Sequence, residues 1–108
     1  MPVELGYFTL RVKDLERARA FYGALFDWRI AEGGHVENTT FPLGVSAGEP
    51  ADASFAYFRV DDIEAMTKRV EELGGVIRDR HDYRTGPNAI CADDQGTVFS
   101  LWQAAPGF

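Results

Sequence analysis

The chain has 108 residues, 45% hydrophobic and 13% aromatic, and its 17 acidic against 11 basic side chains give a formal charge of −6 at neutral pH. That length suits one domain with a single core, formed as folding removes roughly two-thirds of the unfolded surface from water. The acidic balance, with no cluster of Lys and Arg among aromatics, excludes nucleic acid as a partner, and a single cysteine, Cys91, leaves no internal disulfide and no paired-cysteine zinc site.

The first residues, Met1, Pro2, Val3 and Glu4, form no basic segment followed by an apolar run. No window approaches the roughly 18 apolar residues of a membrane helix, so a cytoplasmic protein with no membrane partner is expected. Residues 4–12 read as a strand in which Phe8, Leu10 and Val12 share one face and Tyr7, Thr9 and Arg11 the other. Asp14 follows as a helix N-cap, its carboxylate able to accept backbone N–H groups of the first turn. Behind it Leu15, Ala18, Tyr22 and Leu25 recur at helical spacing, Glu16 suits the positive end of the helix dipole, and the helix is predicted to end near Phe26 and Asp27. Short strands are predicted over residues 28–31, 35–41 and 43–46, with Gly33 and Gly34 as a turn and residues 47–51 as a linker.

The second half repeats this plan. Leu10-Arg11-Val12-Lys13-Asp14-Leu15-Glu16 recurs 48 residues later as Phe58-Arg59-Val60-Asp61-Asp62-Ile63-Glu64. A strand over residues 54–60 leads to a cap at Asp62 and a helix with Ile63, Met66, Val70 and Leu73 on one face, released by Gly74 and Gly75. Strands are predicted over 76–78, 89–92 and 98–103, and residues 81–87, with Tyr83 and Arg84, read as a solvated loop placed where a lid would be. The expectation is an α+β fold of two βαβββ modules forming one curled mixed sheet with helices on its convex face. It comprises one domain over residues 1–108, with halves at about 1–49 and 50–108.

Three segments carry a resemblance. Leu10-Arg11-Val12-Lys13-Asp14-Leu15-Glu16-Arg17-Ala18-Arg19-Ala20-Phe21-Tyr22, Arg59-Val60-Asp61-Asp62-Ile63-Glu64, and Asp93-Asp94-Gln95-Gly96-Thr97-Val98-Phe99-Ser100-Leu101-Trp102-Gln103 are similar, in that order, to the glyoxalase, bleomycin-resistance and dioxygenase superfamily, the vicinal-oxygen-chelate fold. The resemblance spans the whole chain. It implies the fold and not one function, since the superfamily hosts isomerases, epimerases, transferases, ring-cleaving dioxygenases and drug-binding proteins. Metal-using members place His and Glu ligands where this chain has Tyr7, Phe55 and Ser100, and take a fourth ligand from the stretch equivalent to residues 41–46, which has no Glu, His or Asp. Phe offers no lone pair and a Ser hydroxyl is a poor substitute for carboxylate, so no metal and no cofactor are expected. His35 and His81 stand outside the motif positions and read as surface groups.

Strand parity, combined with the resemblance, places Tyr7, Thr9, Arg11, Phe55, Tyr57, Arg59, Ser100 and Trp102 on the concave, ligand-lining face. Four aromatics, two arginines and two small hydroxyls suit a flat or hydrophobic small molecule held by a few polar contacts. The same aromatics equally suit packing between two copies of a homodimer. Ser100 lies in no nucleophile-elbow sequence, and Cys91 reads as a small core residue. Two readings of function follow. One is a metal-free small-molecule-binding protein, conferring drug resistance by sequestering an aromatic ligand. The other is a metal-independent isomerase, lyase or cyclase using Tyr7, Tyr57, His81 or an arginine in the same cavity. A partner domain without ligand is the third class.

Overall fold

The computed structural model describes Pro2, residues 4–49 and residues 56–108. Its contacts divide the chain into two compact units, Met1–Pro50 and Ala51–Phe108. Among the described residues the architecture is mixed α+β with two helices and two sheets. The hydrogen-bonded ladders divide at the same boundary as the units, two strands in the first and four in the second.

In the first unit, β1 (Phe8–Val12) leads into α1 (Leu15–Phe26), and β2 (Leu43–Ala47) returns to pair with β1 in parallel, Leu10 opposite Val45. Asp14 caps α1 as its sequence position requires: its carboxylate accepts the backbone N–H of Glu16 at 2.9 Å and of Arg17 at 3.2 Å. The buried face of the helix is Ala18, Phe21, Tyr22 and Leu25, and these pack with Leu10, Val12 and Val45 as the core of this unit. Asp27 ends the helix in the left-handed conformation, φ 58°. Asn38 supports this exit, donating to the Asp27 carbonyl at 2.8 Å while accepting from Arg29 N–H at 2.8 Å.

Between α1 and β2 the expected strands contract to isolated bridges, Ile30 with Val36 and His35 with Gly44. The cause is local. Asn38 spends its side chain on the helix exit, Thr39 bonds the Phe41 carbonyl, and Pro42 has no N–H to give a ladder. Gly34 makes the bend itself, at φ +101°, and a Cβ there would collide with the Val45 carbonyl.

The second unit holds β3 (Tyr57–Arg59), α2 (Ile63–Glu72), β4 (Val76–Tyr83), β5 (Gly86–Ala92) and β6 (Val98–Trp102), in sheet order β3-β6-β5-β4. β3 lies parallel to β6, and the other pairs are antiparallel. The parallel strand pair flanking a helix therefore appears in both units, as the repeat in the sequence requires. Asp62 caps α2 through Ala65 N–H at 3.1 Å, and Gln103, just after β6, accepts Ile63 N–H at 2.8 Å. Helix α2 packs on β4 and β5, with Ile63, Thr67 and Val70 buried. Met66 is only half-buried, and Thr67 takes the place beside Val70 expected of an apolar residue; its hydroxyl is satisfied by the Glu64 carbonyl at 3.1 Å.

The stretch read as a loop is a hairpin. β4 runs to Tyr83, which pairs with Gly86 across a turn made by Arg84 and Thr85. Gly86 has φ +130°, and a Cβ there would strike the Gln103 carbonyl. The alternation that marks a half-buried strand is absent because β4 is an edge strand whose residues are mostly exposed on both faces. At the other end of β5, Asp93 organises the turn into β6, its buried carboxylate accepting Gln95 N–H and Thr97 N–H at 2.9 Å each.

Candidate binding site

Cross-strand register defines one face of the second sheet. Tyr57 stands opposite Ser100, Arg59 opposite Trp102, Trp102 opposite Asn88, and Asn88 opposite His81. Paired residues share a face, so Tyr57, Arg59, Ser100, Trp102, Asn88 and His81 are on one side. Helix α2 covers the other: Arg80, one residue from His81, reaches Thr67 Oγ1 and Glu64 Oε1 at 3.2 Å each.

On the face away from α2 lies a cavity of about 490 Å³, lined by Tyr57, Tyr83, Thr85, Asn88 and Trp102. Among the described residues its lining is three aromatic rings with a hydroxyl and an amide, a composition suited to a flat molecule. Trp102 is fixed in two ways. Its indole N–H donates to the Thr85 carbonyl at 3.0 Å, and the Arg59 guanidinium sits 5.5 Å from the ring centroid. Tyr83 is braced from the outside, stacked on His81 with centroids 5.5 Å apart and planes 16° from parallel. His81 Nε2 is in turn 3.1 Å from Asp79 Oδ2.

Two polar side chains on this face are unusual. Asn88 is 5% exposed, and its Oδ1 has no hydrogen-bond partner. Ser100 is fully buried, and its hydroxyl likewise has none. A smaller cavity, about 280 Å³, lies by the start of α2 between Ile63, Glu64, Arg80 and His81, and Asn88 borders it as well.

The first unit carries its own exposed group. Tyr7, just before β1, and Thr9 and Arg11 on it are exposed while Leu10 and Val12 are buried, the parity expected of that strand. The Tyr7 hydroxyl is 2.9 Å from His35 Nδ1, and the two rings stack at 5.8 Å. Phe55, also expected to line the site, lies outside the described residues.

Of the expected lining residues, the second unit brings together Tyr57, Arg59 and Trp102, with Ser100 on the same face but enclosed. Tyr83 was placed in the sequence as part of a loop, and Thr85 and Asn88 had no signal of their own. Only the pairing of Asn88 with Trp102, a relation between distant strands, puts it in the cavity.

The donor set does not fit a divalent metal. Among the described residues no group of three or more His, Cys, Asp or Glu side chains is placed to hold one. At two of the positions where the resemblance implies ligands, the Tyr7 hydroxyl is engaged with His35, and Ser100 offers one enclosed neutral oxygen. Cys91 is no substitute, since burial pushes its thiol up to about 12, opposed only in part by Arg80.

Comparison with known proteins agrees with this architecture. The fosfomycin resistance protein FosX from Mesorhizobium loti superposes with a TM-score of 0.72 at 24% identity, over 98% of this chain and 96% of that one. TnmS3, an antibiotic-binding protein from Streptomyces sp., superposes with a TM-score of 0.71 at 20% identity, over 96% of this chain and 98% of its own. The anthracycline biosynthesis protein DnrV from Streptomyces peucetius is 30% identical across 91% of this chain and 46% of its own length. The chain thus spans about half the length of the curated relatives it matches. The family model described as Glyoxalase/Bleomycin resistance protein/Dioxygenase superfamily matches residues 4–101, and the chain belongs to that superfamily.

Proposed function

We propose that this protein binds a planar aromatic small molecule without a metal ion and acts by sequestering or carrying it. The observation that supports the reading most directly is the cavity between Tyr57, Tyr83 and Trp102, with the tryptophan held in place before any ligand arrives. Rings fixed in advance lose little entropy on binding, so their buried area converts efficiently into affinity. The likeness to TnmS3, an antibiotic-binding protein, and to DnrV, an anthracycline biosynthesis protein, directs attention to polycyclic antibiotics as the ligand class. In this proposal the chain is one vicinal-oxygen-chelate domain, cytoplasmic and homodimeric. Tyr7, Phe41, Tyr57, Val76 and Tyr83 leave large apolar groups exposed, which a second copy would cover.

The test is equilibrium dialysis and calorimetry against a panel of polycyclic aromatics that includes an anthracycline, with recovery of the ligand checked by mass. Stoichiometric binding, unchanged by chelator and weakened in Trp102→Ala, supports the proposal. Full affinity in Trp102→Ala sinks it.

A second reading is metal-independent catalysis, favoured by the 2.9 Å Tyr7–His35 contact, a pair able to pass a proton between phenol and imidazole. It predicts a recovered ligand of altered structure, and loss of that conversion in Tyr7→Phe.

A further inference from the structure

We propose that His81 is a positioning residue for the cavity: tethered to Asp79 and stacked behind Tyr83, it holds that ring in the wall most firmly when its imidazole is protonated, so ligand binding tightens as the pH falls. The inference rests on the binding function proposed above and deepens it by naming what regulates the site.

Tyr83 needs a brace. It is the last residue of β4, an edge strand, and it is 56% exposed. Trp102 is fixed by its hydrogen bond to Thr85 and by Arg59, whereas among the described residues the Tyr83 side chain has no hydrogen bond and no ring against it other than His81. Tyr83 lines the 490 Å³ cavity and His81 does not, so the imidazole stands behind the wall, 5.5 Å from the phenol ring and 16° from parallel to it.

The strand is built to tether that imidazole. Ile77 is opposite Cys91 while Asp79 is opposite Ile90, so two steps along β4 match one along β5 and Arg78 is the extra residue. Strict alternation would put Asp79 on the face of Ile77; the bulge turns it instead to the face of His81 and Tyr83, where its Oδ2 lies 3.1 Å from His81 Nε2.

Protonation strengthens both contacts of the imidazole. The charged ring forms an ion pair with Asp79, and it presents a cation to the negative face of the phenol, inside the roughly 6 Å over which such attraction acts. A neutral imidazole holds Tyr83 less well, and a ligand must then order the ring itself, at a cost in affinity. The neighbouring charges leave this sign unchanged. Arg80 and Asp82 are on the opposite face by alternation, Arg80 held 3.2 Å from Glu64 of α2, and β5 opposes His81 with the uncharged Asn88.

The experiment titrates 2-methoxynaphthalene, which has no ionisable group, calorimetrically into wild type, His81→Phe, His81→Ala and Trp102→Ala at about pH 5 and about pH 8, the limits between which histidine side chains ordinarily change charge. Wild type is expected to bind about two- to fivefold more tightly at the lower pH. His81→Phe keeps a ring behind Tyr83 but no charge, so it is expected to bind equally at both, with the affinity wild type has at the higher pH. His81→Ala, with no ring, is expected to bind more weakly than His81→Phe throughout. A flat wild-type profile overturns the inference, as does the wild-type profile retained in His81→Phe, which would assign the response to another group such as His35. Wild-type affinity in His81→Ala overturns it too. In each of these cases the cavity assignment stands if Trp102→Ala weakens the probe. If the probe does not bind wild type, or Trp102→Ala leaves its affinity unchanged, both fall.

Discussion

A single side chain, Trp102, is where sequence and structure meet most closely. Strand parity placed it beside Tyr57 and Arg59 on a ligand-facing surface, and the structure joins those three, with Arg59 over the indole ring. Removing the ring is expected to weaken a bound polycyclic aromatic by about 1–3 kcal/mol, read by calorimetry. Ser100, assigned to the same surface, is on that face but enclosed, because β6 is buried on both sides and period-two reasoning gives the face of a residue without its depth. Asn88 was silent, since nothing in its neighbours Pro87 and Ala89 announces a partner on another strand. Cys91 shows a residue whose reading as a small core group agrees with its full burial. Desolvation raises its thiol pKa from 9.0 to about 12, so the folded protein holds that proton where the unfolded chain releases it. Stability from this group is complete below pH 9 and declines between pH 9 and about 12, by at most about 1.4 kcal/mol per unit. Urea titrations at pH 8 and 10.5 should show a larger alkaline loss for wild type than for Cys91→Ala. At pH 8 iodoacetamide should modify Cys91 only after unfolding.

At the scale of elements, the helices were legible because their signals are local. An Asp before an amphipathic run can reach only the N–H groups beside it, and Asp14 and Asp62 do so. Asp14→Ala is expected to cost about 1 kcal/mol in a denaturant titration. The strands were less legible wherever a residue's bonding depended on a remote segment. Residues 28–42 lost their expected ladders to Asn38 and Pro42, and β4, expected as a strand only over residues 76–78, ended in what looked like a loop because an edge strand has little buried face to pattern it. Glycines mark where two segments come closest. Gly34 and Gly86 hold positive φ angles against the Val45 and Gln103 carbonyls, so alanine at either should cost about 2 kcal/mol or more. Gly96, also at positive φ but with open space around it, should lose less, which separates backbone strain from collision in the same assay.

For the whole molecule, the internal repeat was visible from a heptapeptide match, and the structure returns it as a parallel strand pair around each helix. What the repeat could not disclose is its inequality: the second unit carries a complete four-stranded sheet and the cavity, while the first holds two strands and the Tyr7–His35 pair. Light scattering at micromolar concentration is expected to give the mass of a dimer, and a monomer would contradict the proposed assembly. Elemental analysis of protein purified without an affinity tag is expected to find well under one metal per chain.

The wall that Tyr83 gives to the cavity belongs to β4, one of the two edge strands of its sheet, bonded there on one side to β5 and exposed along most of its length. This gives the site a direction in time as well as in space. Strands with one neighbour and little buried area open first, while β5 and β6, enclosed on both sides, open last. A ligand held between Tyr83 and Trp102 therefore touches one part that breathes and one that does not. Its escape is governed by excursions of β4, and its residence should lengthen with anything that ties that strand down. Hydrogen exchange should find β4 amides exchanging well ahead of those in β6, with bound ligand slowing β4 most.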